Sequence, residues 1–265
     1  MQMHNALLPL RRLLSIDVVH DEDWSVYEDE DQFSALSFFM HPPSLRHVRG
    51  VFTDNVVDRV EHLPFPSPIP SLDCHDLFED RLEPLLGRLP NLHTLSLQPG
   101  FGSTQMILCR STLYAALIRV KSTLRRLTIT TTMTPRITVE DNYIWFAPFD
   151  KLETLNIPWR LLIPLDPEDT KSELPPNVQN LTINNTFTGD AVGESEFAGY
   201  HLVEEILTEW RSKTPRLESV LIEDVGSWHM REKEDLQKEA DESGLKVTWA
   251  FLDLNGNIER LSYPS

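Results

Sequence analysis

Lys151-Leu152-Glu153-Thr154-Leu155-Asn156-Ile157 places aliphatic residues at its second, fifth and seventh positions, with polar residues between them. The spacing i, i+3, i+5 ends in the alternation of a strand, where side chains point to opposite faces in turn. The same spacing recurs as Leu92-Leu95-Leu97, Leu124-Leu127-Ile129, Val178-Leu181-Ile183 and Leu217-Val220-Ile222. The first positions of the five rungs lie 32, 28, 26 and 39 residues apart. Those intervals approach the period of leucine-rich repeats, stretched by insertions. The expected fold is therefore α/β: an irregular leucine-rich-repeat solenoid with a curved parallel sheet and with helices and loops on its convex side.

Further strands extend the pattern in both directions. Residues 10–18 carry Leu10, Leu13, Leu14, Ile16 and Val18, and residues 45–51 form a degenerate rung opened by Leu45 and Val48. Residues 245–252 form a last rung, and Asn255-Gly256 is a type I′ turn signal that predicts a hairpin over 247–261. One domain over 1–265 is expected. No polar cap precedes Leu10, and solenoids need one, so the chain is expected to be a piece of a longer protein unless Met1 to Leu8 covers that end.

Helical spacing separates the rungs. Phe33, Leu36 and Met40 precede the stop at Pro42-Pro43, and Pro64, Pro66, Pro68 and Pro70 make a stiff connection. Ser71 is read as the cap of a helix carrying Phe78, Leu82, Leu85 and Leu86, bent at Pro84 and ended at Gly87. Ser111 is read as the cap of a helix with Leu113, Leu117 and Val120 inward. Ile137 and Val139 suggest an extra strand. Prolines 158, 164, 167, 175 and 176 leave room only for loop or 3₁₀ turns before the next rung. Gly189 to Gly199 is expected to be a mobile loop. Val203, Ile206, Leu207 and Trp210 then mark an amphipathic helix, and 228–243 a charged one with Glu234 facing Lys238 and Gly244 at its end.

Formal net charge is −17, from 41 acidic and 24 basic residues. That balance disfavours nucleic acid and anionic membranes. Arg11 and Arg12 interrupt the first apolar run, and no stretch reaches the length of a membrane span, so an intracellular protein of the cytoplasm or nucleus is expected. Cys74 and Cys109 form no spaced framework. Between Asp17 and Asp31 stand eight acids and no Lys or Arg, which read as a solvated loop or, around Trp24 and Tyr27, as a docking site for a basic partner.

Chemistry-bearing motifs are weak. Asp73-Cys74-His75-Asp76 holds metal-ligand types but reads as the start of a helix, where consecutive side chains diverge. Asp253 to Asn257 lacks a calcium loop's glycine position, and Gly100-Phe101-Gly102 lacks the third glycine of a dinucleotide loop. No Gly-x-Ser-x-Gly, His-Glu-x-x-His or Cys-x-x-Cys occurs, and the nine histidines, His93 and His201 among them, are scattered. No cofactor, metal site or enzymatic activity is expected. An active site built on loops such as 130–149 and 186–199 is the alternative.

Stacked rungs would align their outward residues in rows. One row reads Ser96, Thr128, Asn156, Thr182 and Leu221; the next reads Gln98, Thr130, Pro158, Asn184 and Glu223. Such a polar sheet face suits protein binding, although threonine also simply favours strands. Six basic residues and no acid occupy 105–139: Arg110, Arg119, Lys121, Arg125, Arg126 and Arg136. Arg125 and Arg126 fall in a rung, which points to an acidic or phosphorylated peptide, unless the island pairs with the protein's own acids.

Phe149 to Trp159, Leu161-Leu162 and Leu174-Pro175-Pro176-Asn177-Val178-Gln179-Asn180-Leu181-Thr182-Ile183 resemble the leucine-rich region of filamentous-fungal F-box proteins. The resemblance covers roughly residues 90–225. It implies a substrate receptor of a ubiquitin ligase whose repeats hold the target, and attachment through a ligase adaptor where an F-box stands upstream. No F-box helices precede Leu10, and Gly100, Thr132, Arg160, Thr186 and Val225 stand where the family carries Asn. The expected function is thus a non-enzymatic protein-interaction module, with an enzyme or a truncated relative lacking independent activity as alternatives. The candidate partner-binding residues are Arg125, Arg126, Thr128, Thr130, Ser96, Gln98, Asn156, Trp159, Thr182 and Asn184.

Overall fold

A computed structural model describes residues 13–17, 42–51, 66–75, 79–98, 110–130, 145–162, 174–184, 194–224, 230–252 and 258–261. The acidic run of 18–31, the helix expected at 33–40, the strand expected at Ile137 and Val139, and the Asn255-Gly256 turn lie outside these residues. The architecture is α/β. It divides into two compact units, residues 1–106 with 112–124 and residues 107–111 with 125–265.

In the first unit, strands β1 (Ser15–Asp17), β2 (His47–Val51), β3 (Ser71–His75) and β4 (Thr94–Gln98) pair in chain order, all parallel. Helices α1 (Glu79–Gly87) and α2 (Arg110–Ile118, of which 112–118 belong here) contribute the buried residues Leu82, Leu85, Leu86, Leu113, Ala116 and Leu117. In the second unit, β5 (Arg126–Ile129), β6 (Thr154–Pro158), β7 (Asn180–Asn184), β8 (Ser219–Asp224) and β9 (Lys246–Leu252) are likewise parallel and in chain order. β10 (Ile258–Leu261) runs back antiparallel along β9. Helices α3 (Glu194–Lys213) and α4 (Met230–Ser243) pack on each other, with Gly244 ending α4 at φ 74°, a conformation that glycine adopts without steric cost.

The register carries the repeat through space. Leu127 pairs with Leu155, Leu155 with Leu181, Leu181 with Val220 and Val220 with Val247; one step on, Ile157, Ile183, Ile222 and Trp249 form a second row. All but Val247 are fully buried or nearly so. In the first unit Ile16, Val48, Leu72 and Leu95 make the equivalent row. A parallel sheet with one face built of aliphatic rows buries a continuous core, at about 1.5–3 kcal/mol per large side chain.

Five of the rungs are entered the same way. In each, the N–H of the first apolar residue closes a tight turn: Leu45 to Pro42 O, Leu92 to Leu89 O, Leu152 to Phe149 O, Val178 to Pro175 O and Leu217 to Thr214 O, all at 2.9–3.2 Å. The next two N–H groups share one carbonyl of the preceding rung. His93 and Thr94 donate to Pro70 O, Glu153 and Thr154 to Arg125 O, Gln179 and Asn180 to Glu153 O, and Glu218 and Ser219 to Gln179 O. These bonds satisfy the backbone where the chain turns from the connection into the strand.

Three expectations are corrected. Ser71 does not cap a helix; it opens β3, so the stretch Asp73-Cys74-His75 is strand rather than a helix start. Ile69, Leu72 and Cys74 are buried at the same i, i+3, i+5 spacing as the other rungs, with the small thiol in the third apolar position. The helix α1 begins only at Glu79. Residues 194–199, expected in a loop, belong to α3. On α4, Lys238 reaches forward to Glu242 at 4.0 Å instead of back to Glu234. Trp159 to Leu161 form the 3₁₀ turn that the prolines allowed.

Candidate functional site

Alternation sends every second strand residue away from the core, and register then lines those residues up across strands. In the second unit three rows result. The first is Arg126, Thr154, Asn180, Ser219 and Lys246; the second Thr128, Asn156, Thr182, Leu221 and Thr248; the third, on β6 to β9, Pro158, Asn184, Glu223 and Ala250. Thr128, Asn156, Thr182 and Thr130 are half-buried, while Arg126, Asn180 and Lys246 are exposed.

The rows are tied by side-chain hydrogen bonds. Ser219 Oγ donates to Asn180 Oδ1 at 2.8 Å, a bond that uses the Asn180 oxygen and not its amide N–H groups. Asn184 is 1 % exposed; its Nδ2 donates to Asn156 Oδ1 at 2.7 Å and to Ile129 O at 2.9 Å. Two acceptors on one nitrogen orient the amide, and Asn184 Oδ1 stays buried without a protein donor among the described residues. Proline explains the second bond. Thr154 N–H donates to Arg125 O, so two steps further along the ladder the residue facing Ile129 O is Pro158, which has no N–H. Asn184 supplies the missing donor. Beside it in register, Glu223 is partly buried, and burial raises its carboxyl above the usual range.

The basic island is partly neutralised. Arg125 Nη1 lies 3.1 Å from Glu153 Oε1, and in the first unit Arg119 Nε lies 3.0 Å from Glu83 Oε1. Arg126, one residue on, points from the sheet face with no acidic partner among the described residues. Trp159 stands outside the rows: it is 9 % exposed and belongs to the 3₁₀ turn. Arg136 lies outside the described residues.

Ser96 and Gln98 belong to the first unit, on the same face as a denser polar cluster. His47 Nδ1 and Ser71 Oγ lie 2.9 Å apart. The Asp73 carboxylate stands between Arg49 Nε at 3.3 Å and His75 Nε2 at 3.4 Å. Arg49 Nε is also 3.3 Å from His75 Nε2. In register Asp73 neighbours Ser96, and His75 neighbours Gln98. Cys74 between them turns into the core, where burial first and the Asp73 charge second push its thiol well above the usual range. Among the described residues no three His, Cys, Asp or Glu side chains converge as a metal set, and no helix is long and apolar enough to cross a membrane.

Sequence reasoning missed Thr154, Asn180, Ser219 and Lys246, and with them the row that Arg126 opens. The signal was present: the strands begin one residue before the second apolar position, so alternation extends one step further back than the two rows first read. It also missed His47 and Arg49, whose degenerate rung at 45–51 was read for its apolar residues alone, and Ser71, whose strand was hidden behind a presumed helix cap. Comparisons with family models, curated proteins and solved structures find no match for the chain.

Proposed function

We propose that this chain is a non-enzymatic protein-interaction module that binds its partner on the outward face of its parallel sheet. The observation that carries the reading is the division of strands β3 to β8 into an aliphatic side that builds the core and a mostly polar side whose residues stand in register. An array of hydroxyls, amides and a few charges, held in register by paired strands, is preorganised for recognition and loses little entropy on binding. The repeat spacing and the turn that recurs at five rungs support an irregular leucine-rich solenoid, in which that face is the interaction surface. On this reading the chain is similar in role to the target-binding region of an F-box receptor, and a ligase adaptor would engage a segment outside it.

Site-specific photo-crosslinking tests the proposal. A benzophenone side chain placed at Thr182, on the sheet face, is expected to capture a discrete partner in a host lysate. The same group at Asp241, on the exposed side of α4, is expected to capture none. Capture from position 241 and none from 182 would overturn the assignment of the face.

A further inference from the structure

The first outward row of the second unit has a definite charge pattern. Arg126, Thr154, Asn180, Ser219 and Lys246 sit directly beside one another across β5 to β9. Both ends are cations, both are exposed, and the three residues between them are neutral and polar. In a chain of net charge −17 this is an unusual composition. Arg125 is held by Glu153, so its charge is spent locally, whereas Arg126 has no such partner among the described residues. Among the described residues, the carboxylates next in sequence to the row are Glu153, engaged by Arg125, and the exposed Glu218. Ser219 occupies Asn180 Oδ1, so the exposed Asn180 keeps its amide N–H groups as donors for a ligand. The row therefore presents cation, hydroxyl, amide donor, hydroxyl oxygen and cation in sequence.

Four strand spacings separate the ends, about 19 Å at roughly 4.8 Å per strand. An extended peptide rises about 3.3 Å per residue, so it covers that distance in about six residues. We infer that the row Arg126–Lys246 binds an extended acidic segment of a partner protein, laid across the strands, with two carboxylates about six positions apart and neutral polar residues between. The inference rests on the interaction-module reading and names the partner's chemistry. Arg126 takes one carboxylate through its planar fork, Lys246 takes the other as a point charge, and Asn180 donates to the main chain between them.

Fluorescence anisotropy with the full chain at low salt tests this. The probe is a labelled eight-residue peptide with two aspartates six positions apart and serine, threonine and asparagine elsewhere. Two controls carry the aspartates two positions apart, or none. The six-apart peptide is expected to bind tightest, and Arg126→Gln or Lys246→Gln to weaken it about fivefold each. The double variant is expected to bind it no better than the neutral peptide. Binding that ignores spacing, binding unchanged in the double variant, or no binding of any peptide would overturn the inference. Circular dichroism of the exposed-site variants confirms that the fold is intact. Retained crosslinking from position 182 in the double variant would leave the module reading standing while this anchor pair falls.

Discussion

Asn184 Nδ2 lies 2.9 Å from Ile129 O, two strands away, and fills the place of the N–H that Pro158 lacks. A side chain here completes a main-chain ladder. Asn184→Ala would strip Ile129 O of that donor and leave Asn156 Oδ1 short of one too, at a cost of about 1–3 kcal/mol. Pro158→Ala returns an N–H to the ladder, so the double variant should recover roughly 1 kcal/mol of that loss. Urea denaturation of the four proteins in a double-mutant cycle measures the coupling. Strict additivity would show that Pro158 and Asn184 are independent.

The two faces of one sheet should respond to truncation very differently. Leu155 is fully buried between Leu127 and Leu181, so Leu155→Ala should cost about 2–5 kcal/mol. Thr182→Ala, on the outward row, should stay within about 0.5 kcal/mol. Chemical denaturation with a common slope decides it, and a large loss at Thr182 would mean that the face is part of the core.

Glu223 gives the stability curve a definite sign. Burial raises its carboxyl in the folded chain, so between the unfolded and folded values the folded state holds the extra proton. Stability from this group is therefore present at acid pH, falls as pH rises through the folded value, and stays lower above it. Glu239 carries the same sign, from burial first and then from Glu204 and Glu242. Glu223→Gln should be more stable than the natural chain at pH 7, with the advantage shrinking as pH falls toward the ordinary carboxylate value of 4.5. Thermal melts across that range test it, and an advantage that grows at acid pH would contradict the assignment.

Cys74 is a structural thiol. It is buried in the third apolar position of its rung, and its pKa is pushed up, so little thiolate exists to react at neutral pH. In a Cys109→Ser background, an aromatic disulfide reagent should label Cys74 only as the protein unfolds, with the denaturation midpoint and the labelling midpoint coinciding. Rapid labelling of the native chain would place the thiol at the surface instead.

Ion pairs of the basic island should contribute little to folding. Arg125 is exposed and Glu153 half-buried with its carboxylate open to solvent, so Glu153→Gln should change stability by less than about 1 kcal/mol, and less still in high salt.

The strands that begin with clean aliphatic spacing, at Leu92, Leu152, Val178 and Leu217, were legible because their pattern is local: three residues within six positions decide which face is inside. So were the inward faces of α1 and α2. The rung at Ile69, Leu72 and Cys74 was not, since a serine after four alternating prolines resembles a helix cap and a thiol is a weak hydrophobic signal. The row from Arg126 to Lys246 was half legible. Arg126 could be placed on a strand, but its neighbours Thr154, Asn180 and Ser219 lie in other rungs, joined by connections of unequal length.

By itself the sequence determined the period, most of the strand-forming stretches and, in those, the side that must leave water, because hydrophobic burial and backbone alternation act over a few residues. Only the tertiary structure decided which polar groups meet. Asn184 reaches partners 28 and 55 positions away, and Arg125 is neutralised across 28 while Arg126 is not. Those distances along the chain carry no local pattern. Hydrogen-bond satisfaction between stacked rungs selects them, and it operates only once the register is formed.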